Sequence, residues 1–71
     1  MASKKTDNTR KELGNKLKEA RKKVGLTQAE VAEAAEVNTN YYARIERGEE
    51  NPSFEKLNRI MKVLKMKTLS I

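Results

Sequence analysis

The chain has 71 residues, room for one small domain that buries a limited share of its surface, so modest stability and a gain from self-association are expected. Sixteen Lys and Arg against ten Asp and Glu leave a net charge of +6, which favours a polyanionic partner: nucleic acid first, an anionic membrane surface second. Without Cys or His there are no disulfides, no thiol nucleophile and no imidazole base or ligand, so no enzyme activity, cofactor or metal site is expected.

Residues 1–8 are polar and basic and lack apolar periodicity, so they read as a flexible basic N-terminal arm ahead of a domain over residues 9–71. They lack the apolar centre of a signal peptide, and nowhere do ~18 apolar residues run together as a membrane span requires. The cytoplasm, at the nucleoid, is the expected compartment. From Thr9 the pattern changes: Leu13, Leu17, Ala20 and Val24 are spaced by 4, 3 and 4, one stripe of a first helix over about residues 9–24, and Gly25 stops it.

Thr27 followed by Glu30 forms a capping box, so a second helix is predicted over about Gln28 to Ala35, with Val31, Ala32 and Ala35 inward. Asn38 is a second good cap and opens a third helix from about Thr39 to Arg47, in which Tyr42 and Ile45 face the core and Gly48 ends the run. After the loop Glu49-Glu50-Asn51-Pro52, Ser53 caps a fourth helix whose stripe is Phe54, Leu57, Ile60, Met61 and Leu64. Met66, Leu69 and Ile71 in the tail are compatible with closing the core, starting a fifth helix or packing on a partner. The fold class is therefore all-α, four to five short helices around Leu13, Leu17, Val24, Val31, Ile45, Leu57, Ile60 and Leu64.

Only about three residues join the second and third helices, which suits a sharply angled helix-turn-helix at about residues 27–47. Such a pair sets one helix across a phosphate backbone so that the other enters the major groove, about 12 Å wide. The third helix is suited to reading because Thr39, Asn40, Ala43, Arg44 and Arg47 lie opposite Tyr42 and Ile45. Arg can fork onto guanine O6 and N7, Asn onto adenine N6 and N7, and a Thr methyl can touch a thymine methyl. On the residues alone an ordinary solvated helix face remains open beside this reading.

The pieces Leu26-Thr27-Gln28, Arg44-Ile45-Glu46-Arg47-Gly48 and Asn51-Pro52-Ser53, set in a span from Leu13 to Leu64, resemble the phage repressor and Cro type of helix-turn-helix, the XRE family. The resemblance implies a DNA-binding transcriptional regulator, a repressor in the first instance, with double-stranded DNA as partner. It implies that Gln28 binds a phosphate, that Thr39, Asn40 and Arg44 meet base edges, and that Asn38 and Tyr41 lie near backbone or thymine methyls. Arg47 joins them as a local cation, while Arg21 and Glu46 match a structural ion pair, which removes Glu46 from any catalytic account. One recognition helix reads few base pairs, so a homodimer on a two-fold operator is expected.

Three departures stand out. Glu36 occupies a turn position where Gly is usual and positive φ is expected, at a cost of roughly 1 kcal/mol. Tyr42 replaces an aliphatic residue, so its hydroxyl needs a partner or solvent. Glu49 and Glu50 sit in a loop that often faces phosphate, and the charge map sharpens this: residues 1–25 carry net +6, residues 26–50 net −4 and residues 51–71 net +4. Weak non-specific affinity follows. An adaptor or antitoxin-like domain bound mainly to another protein fits the same fold, and the basic amphipathic stretch from Arg10 to Lys23 fits a membrane-surface helix less well, because its apolar face has no aromatic residue.

Overall fold

The computed structural model describes residues 2–66, with side chains from residue 9 onward. Among these residues the order is α1 Ala2–Val24, α2 Gln28–Ala35, α3 Thr39–Glu46 and α4 Phe54–Val63. Each later helix begins where a side chain can satisfy free backbone N–H groups. Thr27 Oγ1 accepts from Glu30 N at 3.1 Å while Glu30 Oε1 accepts from Thr27 N at 2.8 Å, and Ser53 Oγ accepts from Lys56 N at 3.2 Å. The first helix starts at Ala2 rather than near Thr9, so the backbone of residues 2–8, expected as an arm, is helical. Nothing between Ala2 and Leu13 is Gly or Pro, and a helix nucleated on the core side propagates through such a stretch.

The core consists of Leu17, Val31, Ala32, Ala35, Tyr42, Ile45, Leu57, Ile60, Met61 and Leu64, with Leu13, Ala20, Val24, Val37, Tyr41, Val63 and Met66 packed around it. Met66 thus closes part of the core, whereas Leu69 and Ile71 lie outside the described residues. Phe54 corrects the expected α4 stripe: it is 70 % exposed. As the first helical residue after the Ser53 cap, it extends the spacing from Leu57 past the edge of the core.

Packing of α1 against the end of α3 depends on two glycines. A Cβ on Gly14 would stand 2.4 Å from the Glu46 carbonyl oxygen and 2.5 Å from that of Ile45, so only a residue without a side chain lets the backbones approach this closely. A Cβ on Gly48 would stand 2.8 Å from Lys11 Cγ. These contacts fix where α3 lies relative to α1, and α2 and α4 then pack against each other on the other side of the core.

All four helices end on a left-handed residue: Gly25 at φ 77°, Glu36 at 61°, Gly48 at 79° and Lys65 at 59°. In each case the next residue's N–H reaches back to a carbonyl in the preceding turn, as Val37 N does to Ala32 O at 2.9 Å, which satisfies acceptors that the helix leaves free. Glu36 thus holds the left-handed geometry that its position demands, with a Cβ that disfavours it. Replacing Glu36 by Gly is expected to raise unfolding free energy by about 0.5–1 kcal/mol, relief of the left-handed penalty less the greater entropy of the unfolded chain. Gly14→Ala, which would stabilise an exposed helix by about 1 kcal/mol, is expected to cost about 2 kcal/mol here because backbone must move. Urea unfolding curves of the two variants check both signs.

Candidate nucleic-acid interface

The turn between α2 and α3 is three residues, Glu36, Val37 and Asn38, and Asn38 makes the corner stiff. Its Oδ1 accepts from Asn40 N at 2.8 Å and from Tyr41 N at 3.2 Å, so the first turn of α3 is tied to its own cap. The Asn38 side-chain NH2 remains available outside that cap. From this start the faces of α3 separate by periodicity: Tyr42, Ile45 and Glu46 are buried, and Thr39, Asn40 and Arg44 are exposed, as is Arg47 at the C-cap. Thr39, Asn40 and Arg44 therefore share the outward side of a short rigid rod. Tyr41 is different. It is half-buried against the core, with Lys56 Nζ 4.8 Å from its ring centroid, a cation–π contact that holds the ring to α4.

Beneath the outward face, one carboxylate joins three helices. Arg21 on α1 donates to Glu46 from Nε at 2.7 Å and from Nη2 at 3.2 Å, while its Nη1 donates to the Leu26 carbonyl at 3.0 Å. Gln28, the first residue of α2, donates to Glu46 Oε1 from Nε2 at 2.9 Å. The Glu46 side chain is only 3 % exposed. Burial pushes its pKa up, but the hydrogen bonds from Arg21 and Gln28, with the Tyr42 hydroxyl close by, outweigh this and hold it below the usual carboxylate range. Gln28 is thus anchored inward, and the second N–H of the same amide is the part left for an outside acceptor.

Tyr42 lies fully buried beside this group, and its hydroxyl makes no hydrogen bond of good geometry. Burial pushes its phenol well above the ordinary range, and the Glu46 carboxylate beside it acts in the same direction. The partner or solvent contact expected from sequence is not found: the hydroxyl is buried without a hydrogen bond, close to Glu46 and Arg21.

Arg44 on α3 and Arg47, the residue that caps it, are held by the loop that follows. Gly48 N donates to Ile45 O at 3.0 Å and Glu49 N to Arg44 O at 2.8 Å, folding residues 48–50 back along the last turn. Arg44 Nε then donates to Glu50 Oε1 at 3.3 Å, and Arg47 Nη2 to Glu49 Oε1 at 3.1 Å. Arg47 also lines a cleft of about 420 Å³ with Lys11, Asn15, Lys18, Glu46 and Glu49. Sequence reasoning had not connected Lys11, Asn15 and Lys18 to α3; their spacing of 4 and 3 on one helical stripe, around Gly14, was the available signal. Nor had it found the Arg59 Nε bond to Ala35 O at 2.9 Å, which satisfies the end of α2 from α4.

Among the described residues no group of acidic side chains could hold a metal ion, and no helix is long and apolar enough to cross a membrane. In comparisons with known proteins, a helix-turn-helix family model matches residues 17–71, most of the chain. No curated protein sequence matches it.

A carboxyl whose pKa is lower folded than unfolded contributes stability above its unfolded value, near pH 4.3, and that contribution is lost as pH falls through the folded value. Stability is therefore expected to fall on acidification below about pH 4.3, with a limb that Glu46→Gln flattens. Glu46→Ala, which strands a largely buried Arg21, is expected to cost about 3 kcal/mol at neutral pH. Thermal melts from pH 2 to pH 7 separate the two effects.

Proposed function

The chain belongs to the helix-turn-helix family of the Cro/repressor type, a DNA-binding regulator domain, and from that premise we propose that it represses transcription by reading the major groove with α3. The observation that supports this most is the outward set Thr39, Asn40 and Arg44, exposed on a capped helix whose opposite side is locked into the core. An unanchored helix would have to be ordered on binding; this one is ordered beforehand, so less free energy is lost on docking.

Each residue has a role that its chemistry suits. Arg44 forks onto guanine, Asn40 onto adenine, and the Thr39 methyl meets a thymine methyl. Gln28 and Asn38, at the starts of α2 and α3, give their remaining amide N–H groups to phosphates, and Arg47 adds a charge next to the cleft that Lys11 and Lys18 line. Tyr41, held under Lys56, contributes the edge of its ring to the sugar-phosphate backbone. The basic residues 1–8 supplement the positive charge that the motif itself lacks.

Reading by one short helix is unselective, so the active species is a homodimer on two related half-sites. Phe54 on α4, 70 % exposed, supplies apolar surface that a second copy can cover. The same ring favours a second reading, an adaptor or antitoxin-like domain whose main partner is another protein. Sedimentation of the chain alone and on duplex DNA tests the dimer; a monomer in both would remove it.

Selection of bound sequences from random DNA is expected to return a two-fold related site. On that site Arg44→Ala should cost about 1–3 kcal/mol and relax preference at one base pair, whereas Gln28→Ala should weaken all duplexes alike. The logarithm of the binding constant should fall with the logarithm of salt by about 0.9 per phosphate contact, with only a few contacts per monomer. A slope implying many contacts on each monomer would contradict the charge map.

A further inference from the structure

We infer that Glu50 is a positioning residue for base recognition: it holds Arg44 by Nε so that the two terminal nitrogens present a fork to one guanine. This rests on the reading of α3 as the groove-facing helix. The guanidinium is planar and has five N–H donors, and recognition of guanine O6 and N7 uses two of them side by side. In this chain Glu50 Oε1 takes Nε at 3.3 Å, and neither terminal nitrogen of Arg44 makes a hydrogen bond among the described residues. The contact therefore occupies one donor and leaves the pair needed for a fork.

The loop is built for this contact. The left-handed Gly48 and the Glu49 N to Arg44 O bond of 2.8 Å attach the loop to the same residue whose side chain Glu50 receives, so backbone and side chain of Arg44 are held together. Glu50 is the more sheltered partner, 34 % exposed against 44 % for Arg44. Glu49 is the contrasting case. Its pair with Arg47 is more than half exposed on both sides, and Arg47 lines the cleft toward Lys11 and Lys18 on α1.

A second role for Glu50 has to be separated from this one. A carboxylate near phosphates lowers affinity for every duplex alike, whatever it does to Arg44. Charge repulsion alone makes Glu49 and Glu50 equivalent; aiming of Arg44 makes them different. Gln at position 50 also discriminates, because its side-chain carbonyl can still accept from Arg44 Nε without the charge.

The test uses the full chain with Glu50→Ala, Glu50→Gln and Glu49→Ala. Binding is measured by fluorescence anisotropy at one salt concentration, on the selected duplex, on the same duplex with the Arg44-dependent base pair exchanged, and on a random duplex. Far-ultraviolet circular dichroism confirms that each variant folds. Glu50→Ala is expected to bind the random duplex severalfold more tightly while its preference for the guanine pair falls about tenfold. Glu50→Gln should recover most of that preference, and Glu49→Ala should tighten binding to all duplexes with the preference intact. If Glu50→Ala keeps the preference within about twofold, or if all three variants behave alike, Glu50 acts by charge only and the proposal is overturned. If the unmodified chain fails to distinguish the selected from the random duplex, the groove-reading assignment fails first and takes this proposal with it.

Discussion

A carboxylate with 3 % of its side chain exposed must be neutral or fully paired, and Glu46 is paired by residues from two other helices. Arg21 brings α1 to it and Gln28 brings the first turn of α2, so the angle between α2 and α3 is set at a point with few alternatives. The geometry is directional: Arg21 binds with two parallel N–H groups and uses a third on the Leu26 carbonyl just before the α2 cap. Gly14 makes the same arrangement possible on the backbone side, since α1 could not otherwise approach the Ile45 and Glu46 carbonyls. Without that approach, Arg21 would not reach a carboxylate 25 residues away in sequence.

This anchoring explains why α3 can be both short and exposed. A helix of eight residues is marginal alone, and its outward polar residues contribute nothing to its packing. Tyr42 and Ile45 bury its inner side, Asn38 satisfies its first N–H groups, and Glu46 fixes its last turn. The outward residues are thereby released from any structural duty, which is the condition under which they can vary to suit a ligand without unfolding the domain. Gln28 is the instructive exception, because its amide is tied into the Glu46 network.

Most of the helical layout was legible in the sequence because it is local. Capping residues Thr27, Asn38 and Ser53 act within three residues, and the spacing of Leu17, Val31, Ile45, Leu57, Ile60 and Leu64 follows from a single period. Glu36 was legible for the same reason: a turn of fixed length forces a left-handed residue whatever its side chain. What was not legible depends on separation in the chain. Phe54 continues the apolar spacing of α4 yet has nothing above it, since periodicity gives a face but not the extent of the neighbour that covers it. The close approach at Gly14, the Arg59 bond to Ala35 and the cation over Tyr41 all join segments brought together only by the fold. The helical start at Ala2 escaped for another reason: a polar helix and a polar arm have the same composition.

Charge supplies the remaining constraint. The segment 26–50 is net negative, and both of its arginines outside the buried network are held by acids from the following loop. Exposed pairs of this kind contribute between nothing and about 1 kcal/mol, so they neither stabilise the fold much nor prevent the cations from being recruited elsewhere. Their effect is instead on where free positive potential lies. It is displaced from α3 toward the lysines of α1 and the basic end of the chain, so under the proposed reading long-range attraction and close-range reading fall to different parts of the molecule. On that proposal a polyanion would be drawn in by one surface and discriminated by another, and general affinity would stay low without weakening the contacts that select a sequence.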